Sequence, residues 1–286
     1  MRCRLLLVPA MALALLAGAC GDDDQQARTT GASNASSTSS SPPSTTADGV
    51  PSGDQVVLTL DQHGGFAPVE HSVGNTAEVV VLADGSVISG APMTMQYPGP
   101  ALLPFQVSQA GRRAVEAVVE EFEALDPDAD YDGDAQTFVA DAATTTVTLH
   151  RDGRTVSISA YALGMTDDVG GPPRDAFQAL VGHIQDLVTG TGDTPYEPSA
   201  LRVHDVTDQV GPPPEPSPGE PSGTVRDWPI PHAGAACSVV SDPAQVRSAL
   251  GVLRESTQLD RFRTGAGVRR LVVVPLLPGD PGCPER

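Results

Sequence analysis

The sequence predicts an α+β protein: duplicated hairpin-helix (ββα) units forming an antiparallel sheet with helices on one face, plus a smaller C-terminal α+β unit closed by a disulfide. Three observations predict it. Asp84-Gly85 and Asp152-Gly153 each sit between β-rich runs, and Asp-Gly favours tight hairpin turns. Each hairpin is followed by a run whose apolar residues recur on one helical face. Two late cysteines, Cys237 and Cys283, bracket a further strand and helix pattern.

The first element in chain order is a targeting segment, residues 1–19. Arg2 and Arg4 precede the apolar run Leu5 to Leu16, which is shorter than the ~20 residues of a membrane span and suits an export signal. Ala17-Gly18-Ala19 places small residues directly before Cys20. The arrangement resembles a bacterial lipoprotein signal, in which that cysteine becomes the lipidated, acylated first residue. Ala-Gly-Ala also suits the ordinary secretory peptidase, which would cut at the same bond and leave Cys20 bare. Cysteine arithmetic favours lipid. Cys3 leaves with the signal, Cys237 and Cys283 remain as a pair in an oxidising setting, and Cys20 would otherwise be an odd exposed thiol.

Residues 20–53 are a tether. Gly, Asp, Ser, Thr, Asn, Gln and Pro dominate, as in "SNASSTSSSPPSTT". Such a stretch buries too little surface to offset its ordering entropy. A flexible chain of this length reaches roughly 30 Å, so the body is expected close to the extracytoplasmic face of the cell membrane.

The formal charge is −19. Removal of residues 1–19 takes away Arg2 and Arg4 and no acid, which leaves −21. This excess argues against nucleic acid as a partner and against lying on anionic lipid. The basic residues are all Arg, a pattern that GC-rich coding explains without function. Gly and Pro, 29 and 27 residues of 286, predict a loop-rich body.

Residues 54–190 form the duplicated ββα domain. "QVVLTL" (55–60) adds a strand. "EVVVLADGSVISG" is the first hairpin, and "APMTMQYPGPALLPF" connects it to the helix "SQAGRRAVEAVVEEFEAL", whose apolar face is Val115, Val118, Val119, Phe122 and Leu125. "TTTVTLHRDGRTVSISAYAL" is the second hairpin. Pro172-Pro173 leads into the second helix, with Phe177, Leu180, Val181, Ile184, Leu187 and Val188 in its stripe.

Residues 191–286 form the C-terminal α+β unit. "ALRVHDV" reads as a strand, and the Pro-rich connector 211–221 has neither helix nor ladder capacity. Asp242-Pro243 starts a helix as N-cap and first helical residue, and "VRRLVVVPLL" supplies a closing strand. A Cys237–Cys283 bridge across this loop adds roughly 4 kcal/mol in the chain-entropy account.

Five stretches, "GGFAP" (64–68), "DGSVISG" (84–90), "YPGPALLP" (97–104), "TTTVTL…SAYALG" (144–164) and "LVVVPLLPG" (271–279), lie with a late cysteine pair. Together they resemble an uncharacterised family of actinobacterial lipoproteins over residues 54 to 283. The resemblance implies an exported lipoprotein with an α+β body and brings no activity with it.

Candidate chemistry is sparse. Asp128, Asp130, Asp132 and Asp134, with Gly133, occupy the first ligand positions of an EF-hand-like Ca²⁺ loop. Position 12 is Val139, which removes the bidentate Glu. The alternatives are low-affinity Ca²⁺ binding and a solvated acidic turn. His63, Glu70 and His71, with Asp61, offer metal-ligand types at no standard spacing. Cys237 lies five residues after His232, a thiol-nucleophile arrangement that the disulfide reading displaces. His150, His183 and His204 stand singly, and Trp228 and Tyr97 are the aromatics available for stacking. Without a catalytic set, the expectation is no enzyme and no cofactor. It is a membrane-anchored, non-enzymatic binding or interaction module of the cell envelope, held by lipid on Cys20, for an envelope protein or ligand the sequence does not name. The alternative is an extracytoplasmic enzyme with a hidden, Ca²⁺-dependent site.

Overall fold

The computed structural model describes residues 56–93, 97–135, 139–165, 171–188, 191–211, 220–231 and 234–283. The expected signal peptide, Cys20 and the tether lie outside the described residues, as do His232 and residues 212–219 of the connector.

The first strands are β1 (Val56–Gly64), β2 (Val79–Leu82), β3 (Ser86–Gly90), β4 (Phe105–Gln109), β5 (Ala143–Arg151), β6 (Arg154–Tyr161) and β7 (Thr191–Pro195). They form one antiparallel sheet in the order β6-β5-β1-β2-β3-β4-β7. Helices α1 (Val69–Val73), α2 (Arg112–Glu123) and α3 (Gly171–Leu187) interrupt the strands. "QVVLTL" becomes β1 in the middle of the sheet, between β2 and β5.

The second hairpin closes as expected. Asp152 and Gly153 both have positive φ, 53° and 72°, which a two-residue type I′ turn requires at both positions. The first hairpin differs. Val81 pairs with Val87, so Asp84-Gly85 sits inside a longer connection. There Gly85 N–H donates to the Leu82 carbonyl at 3.0 Å and Ser86 N–H to Asp84 Oδ1 at 2.9 Å.

Leu58, Leu60, Val79, Val81, Val147, Leu149 and Ile158 of the sheet pack against Val115, Val118, Val119 and Phe122 of α2 and Phe177, Leu180 and Ile184 of α3. Both helices therefore lie on one face, because each presents one apolar stripe and the strands alternate. Pro172 and Pro173 fall in the first turn of α3, where a missing N–H costs no intrahelical bond. A bulge in β1 between Val56 and Leu58 puts Val56 on the opposite face, with Val80, Ile88, Phe105 and Leu277. The unbroken Val79-Val80-Val81 run follows from burial on both faces.

The two hairpin-helix stretches are not topologically equivalent. β4 extends the first hairpin by pairing with β3, whereas β7 crosses to pair with β4, which carries the sheet past residue 190.

The remainder holds β8 (Leu201–Asp205), α4 (Thr207–Val210), β9 (Val225–Asp227), β10 (Cys237–Val240), α5 (Pro243–Leu253), β11 (Arg261–Thr264), β12 (Gly267–Arg269) and β13 (Leu271–Pro275). Two three-stranded sheets result, β10-β8-β13 and β12-β11-β9. Asp242 caps α5, accepting from the N–H groups of Ala244 and Gln245. Leu201, Val203, Trp228, Ile230, Val246, Leu253, Phe262 and Val273 form the core. Trp228 is buried against Phe262, with ring centroids 5.2 Å apart, and so offers no stacking surface.

The single closing strand expected from "VRRLVVVPLL" is two strands in different sheets. The break is Arg270, whose N–H donates to Thr207 Oγ1 at 2.8 Å while its guanidinium reaches Glu70 at 3.2 Å. Cys237 and Cys283 are disulfide-bonded.

Candidate functional site

A cleft of about 540 Å³ opens among the described residues, within the range of ligand sites. Three chain stretches line it, 62–78 with α1, 97–105 and 257–274, together with Gly90 at the end of β3.

The first wall is set by buried polar ties. Arg202 is 8% exposed and donates from Nη2 to the Asn75 carbonyl at 2.6 Å and from Nη1 to the Gly282 carbonyl at 3.2 Å. It thereby ties the α1–β2 connection to the disulfide-bearing end of the chain. Thr76 Oγ1 and the Leu277 N–H both donate to Asp280 Oδ2, each at 3.0 Å. Burial pushes the Asp280 carboxyl above its ordinary pKa, opposed by those hydrogen bonds and by Arg202. Burial also raises Asp61, and the Asp280 charge adds to the effect.

The second wall is two loops laced together. Ala101 N–H donates to the Ser256 carbonyl at 3.0 Å, and Gln258 N–H to the Gly99 carbonyl at 2.9 Å. Asp260 anchors the lower loop. Its Oδ1 accepts from the N–H and hydroxyl of Thr224, and its Oδ2 from Arg226 Nε at 2.8 Å and the Thr257 N–H at 3.1 Å. Burial acts to raise this carboxyl, but those hydrogen bonds outweigh it and bring the pKa down to about 2. Gly223 is required beside it, because a Cβ there would overlap the Leu259 carbonyl.

The rim is apolar: Leu103 is 46% and Tyr97 65% exposed, and both line the cleft. Phe66, 93% exposed, stands just before α1. Inside, Glu70 pairs with Arg270. Burial raises the Glu78 carboxyl, against a hydrogen bond with Gln185.

The sequence-derived candidates separate. Glu70 and His71 reach the cleft on α1, while His63 is exposed on β1 and does not line it. The acidic turn lies elsewhere and is held as structure. Asp130 Oδ1 accepts from the N–H groups of Asp132 and Gly133 at 3.1 and 2.9 Å, and Asp132 Oδ1 from the Tyr161 N–H at 2.7 Å. Asp128 donates its N–H to Asp126 Oδ1 at 3.0 Å. Asp134 precedes residues 136–138, which lie outside the described residues. Among the described residues no three His, Cys, Asp or Glu side chains gather as a metal-holding group.

Tyr131 and Arg174, which sequence reasoning passed over, seat this turn. Arg174 is 1% exposed within the apolar stripe of α3 and donates to the carbonyls of Tyr131 at 2.8 Å and Ala162 at 2.7 Å. The Tyr131 ring packs on Phe177. His204 lies 3.9 Å from the bridged Cys237 sulfur, its pKa lowered by burial and by Arg202. His183 bonds Glu121 at 2.7 Å, and that bond raises its pKa. His150 bonds the Thr155 hydroxyl at 3.2 Å.

Comparison with protein-family models, with curated proteins and with solved structures finds no match.

Proposed function

We propose that this protein is an extracytoplasmic lipoprotein, anchored to the cell membrane through lipid on Cys20, whose body is a non-enzymatic binding module that takes its ligand in the cleft. One observation carries the reading. Three of the five stretches that carry the resemblance to actinobacterial lipoproteins meet there: "GGFAP" leads into α1 through Pro68, "YPGPALLP" forms the rim, and "LVVVPLLPG" brings Leu271 to Val274. Two of the cleft's acids are engaged in holding its walls, Glu70 with Arg270 and Asp260 with Thr224, Arg226 and Thr257. An apolar rim over pinned walls suits binding. The duplicated ββα reading belongs to the same proposal, supported by two hairpins that each run on to a helix on the same face.

A second reading, an extracytoplasmic enzyme, is favoured by Glu78 and His71, a carboxyl and an imidazole that line the same cleft. Such groups are the common general acids and bases.

The test is photocrosslinking in intact cells. A photoreactive residue at Leu103 should give a discrete adduct, and one at Val156, exposed on the distant edge strand β6, should not. The Cys20→Ser form should lose the adduct as it leaves the membrane. Equal labelling from both positions, or none, refutes the binding reading.

A further inference from the structure

Among the described residues β13 is an edge strand of its sheet, and Leu271 to Val274 line the cleft. Its ladder to β8 uses one alternate set of residues: Val206 N–H donates to the Arg270 carbonyl and Leu276 N–H to the Ala200 carbonyl, both at 3.0 Å. In an antiparallel pair the intervening residues turn their main-chain groups the other way. The N–H and C=O of Leu271 and Val273 therefore point outward, and among the described residues no hydrogen bond reaches them. Pro275 takes the next outward position, where it has no N–H to leave open.

These groups are not on open surface. Leu271 and Val273 are buried, and Leu271 to Val274 line the cleft beside the 257–260 loop. Unpaired main-chain groups in such a place are costly, and a strand laid alongside satisfies them at the spacing they already have. Four edge residues span roughly 13 Å at ~3.3 Å per residue. The flanking chemistry is apolar from Ala101, Leu103 and Phe105 and acidic from Glu78. The chain's charge of −19 adds a long-range preference for a basic partner.

We propose that the cleft takes an extended peptide segment of a partner protein, carrying Lys or Arg among apolar residues, which adds as a strand to the outer edge of β13. This inference rests on the binding reading above and names its partner class. Alternate peptide side chains would face the apolar loops, and the basic one would reach Glu78. Main-chain pairing supplies affinity and the flanking pockets supply selectivity.

The test uses the full-length protein and a displayed library of random octapeptides. Selected peptides are made synthetically, and their affinity is measured with N-methyl groups placed on either alternate set of residues. Strand addition predicts that one set lowers affinity at least tenfold and the other leaves it within twofold. It also predicts that Glu78→Gln weakens basic peptides several-fold and that Leu103→Trp blocks them. Peptides indifferent to the N-methyl phase but blocked by Leu103→Trp overturn strand addition and leave cleft binding standing. Peptides indifferent to Leu103→Trp overturn both. A selection that returns no binder overturns strand addition, and the crosslink from position 103 then decides cleft binding independently.

Discussion

Asp260→Asn is the sharpest probe of how the cleft wall is held. The substitution preserves shape and removes charge. An amide oxygen can still accept from the two Thr224 donors, but the amide nitrogen then faces Arg226 Nε and the Thr257 N–H, donor against donor. The carboxyl pKa of about 2, against an ordinary 3.8, corresponds to about 2.5 kcal/mol of preference for the charged form. Arg226 is partly exposed, so solvent screening reduces this to about 2 kcal/mol. Donors left facing each other add about 1–2 kcal/mol. Urea unfolding at pH 7 should therefore show Asp260→Asn less stable by about 2–4 kcal/mol. The folded pKa is depressed, so the stabilisation is fully present above the unfolded value near 4. It is lost as pH falls through about 2. The gap between the two proteins should narrow over that window. A difference below about 0.5 kcal/mol at pH 7, or a gap that stays constant down to pH 2.5, refutes the argument.

Two further outcomes follow from the same geometry. Reducing the Cys237–Cys283 bridge, with a sequence separation of 46, should lower stability by about 4 kcal/mol. Intact mass should rise by two hydrogen atoms on reduction, and free thiols in protein isolated under alkylating conditions would refute the bridge. Millimolar Ca²⁺ should give no melting shift that depends on Asp130, because its Oδ1 already accepts two main-chain N–H groups. A shift of several degrees abolished by Asp130→Ala would establish a Ca²⁺ site.

Short-range chemistry was legible in the sequence. Strand alternation, the helical stripes of α2 and α3, the Asp152-Gly153 turn, the Asp242-Pro243 cap and the cysteine pairing each depend on residues whose types declare a local geometry. The first hairpin shows where that stops. Asp84-Gly85 reads like Asp152-Gly153, but the register of Val81 with Val87 lengthened the connection, because pairing across the sheet outranks the preference of a dipeptide. Arg174 stands near the start of α3 beside its apolar stripe, and no local pattern marks it for burial. Its burial became possible only when two carbonyls, from Tyr131 and Ala162, converged on its guanidinium.

The cleft was beyond the sequence for the same reason. Its walls come from stretches nearly 200 residues apart, and Asp260, Arg202 and Glu78 acquire their roles from partners that local pattern does not name. "LVVVP" reads alike as a central or an edge strand, since apolarity reports burial and not which side the ladder occupies. Sequence by itself determined the hairpin strands, the helical stripes and the bridge. Tertiary structure decided which strand was left unpaired, because hydrogen-bond pairing between distant segments is a property of their packing together and of no segment alone.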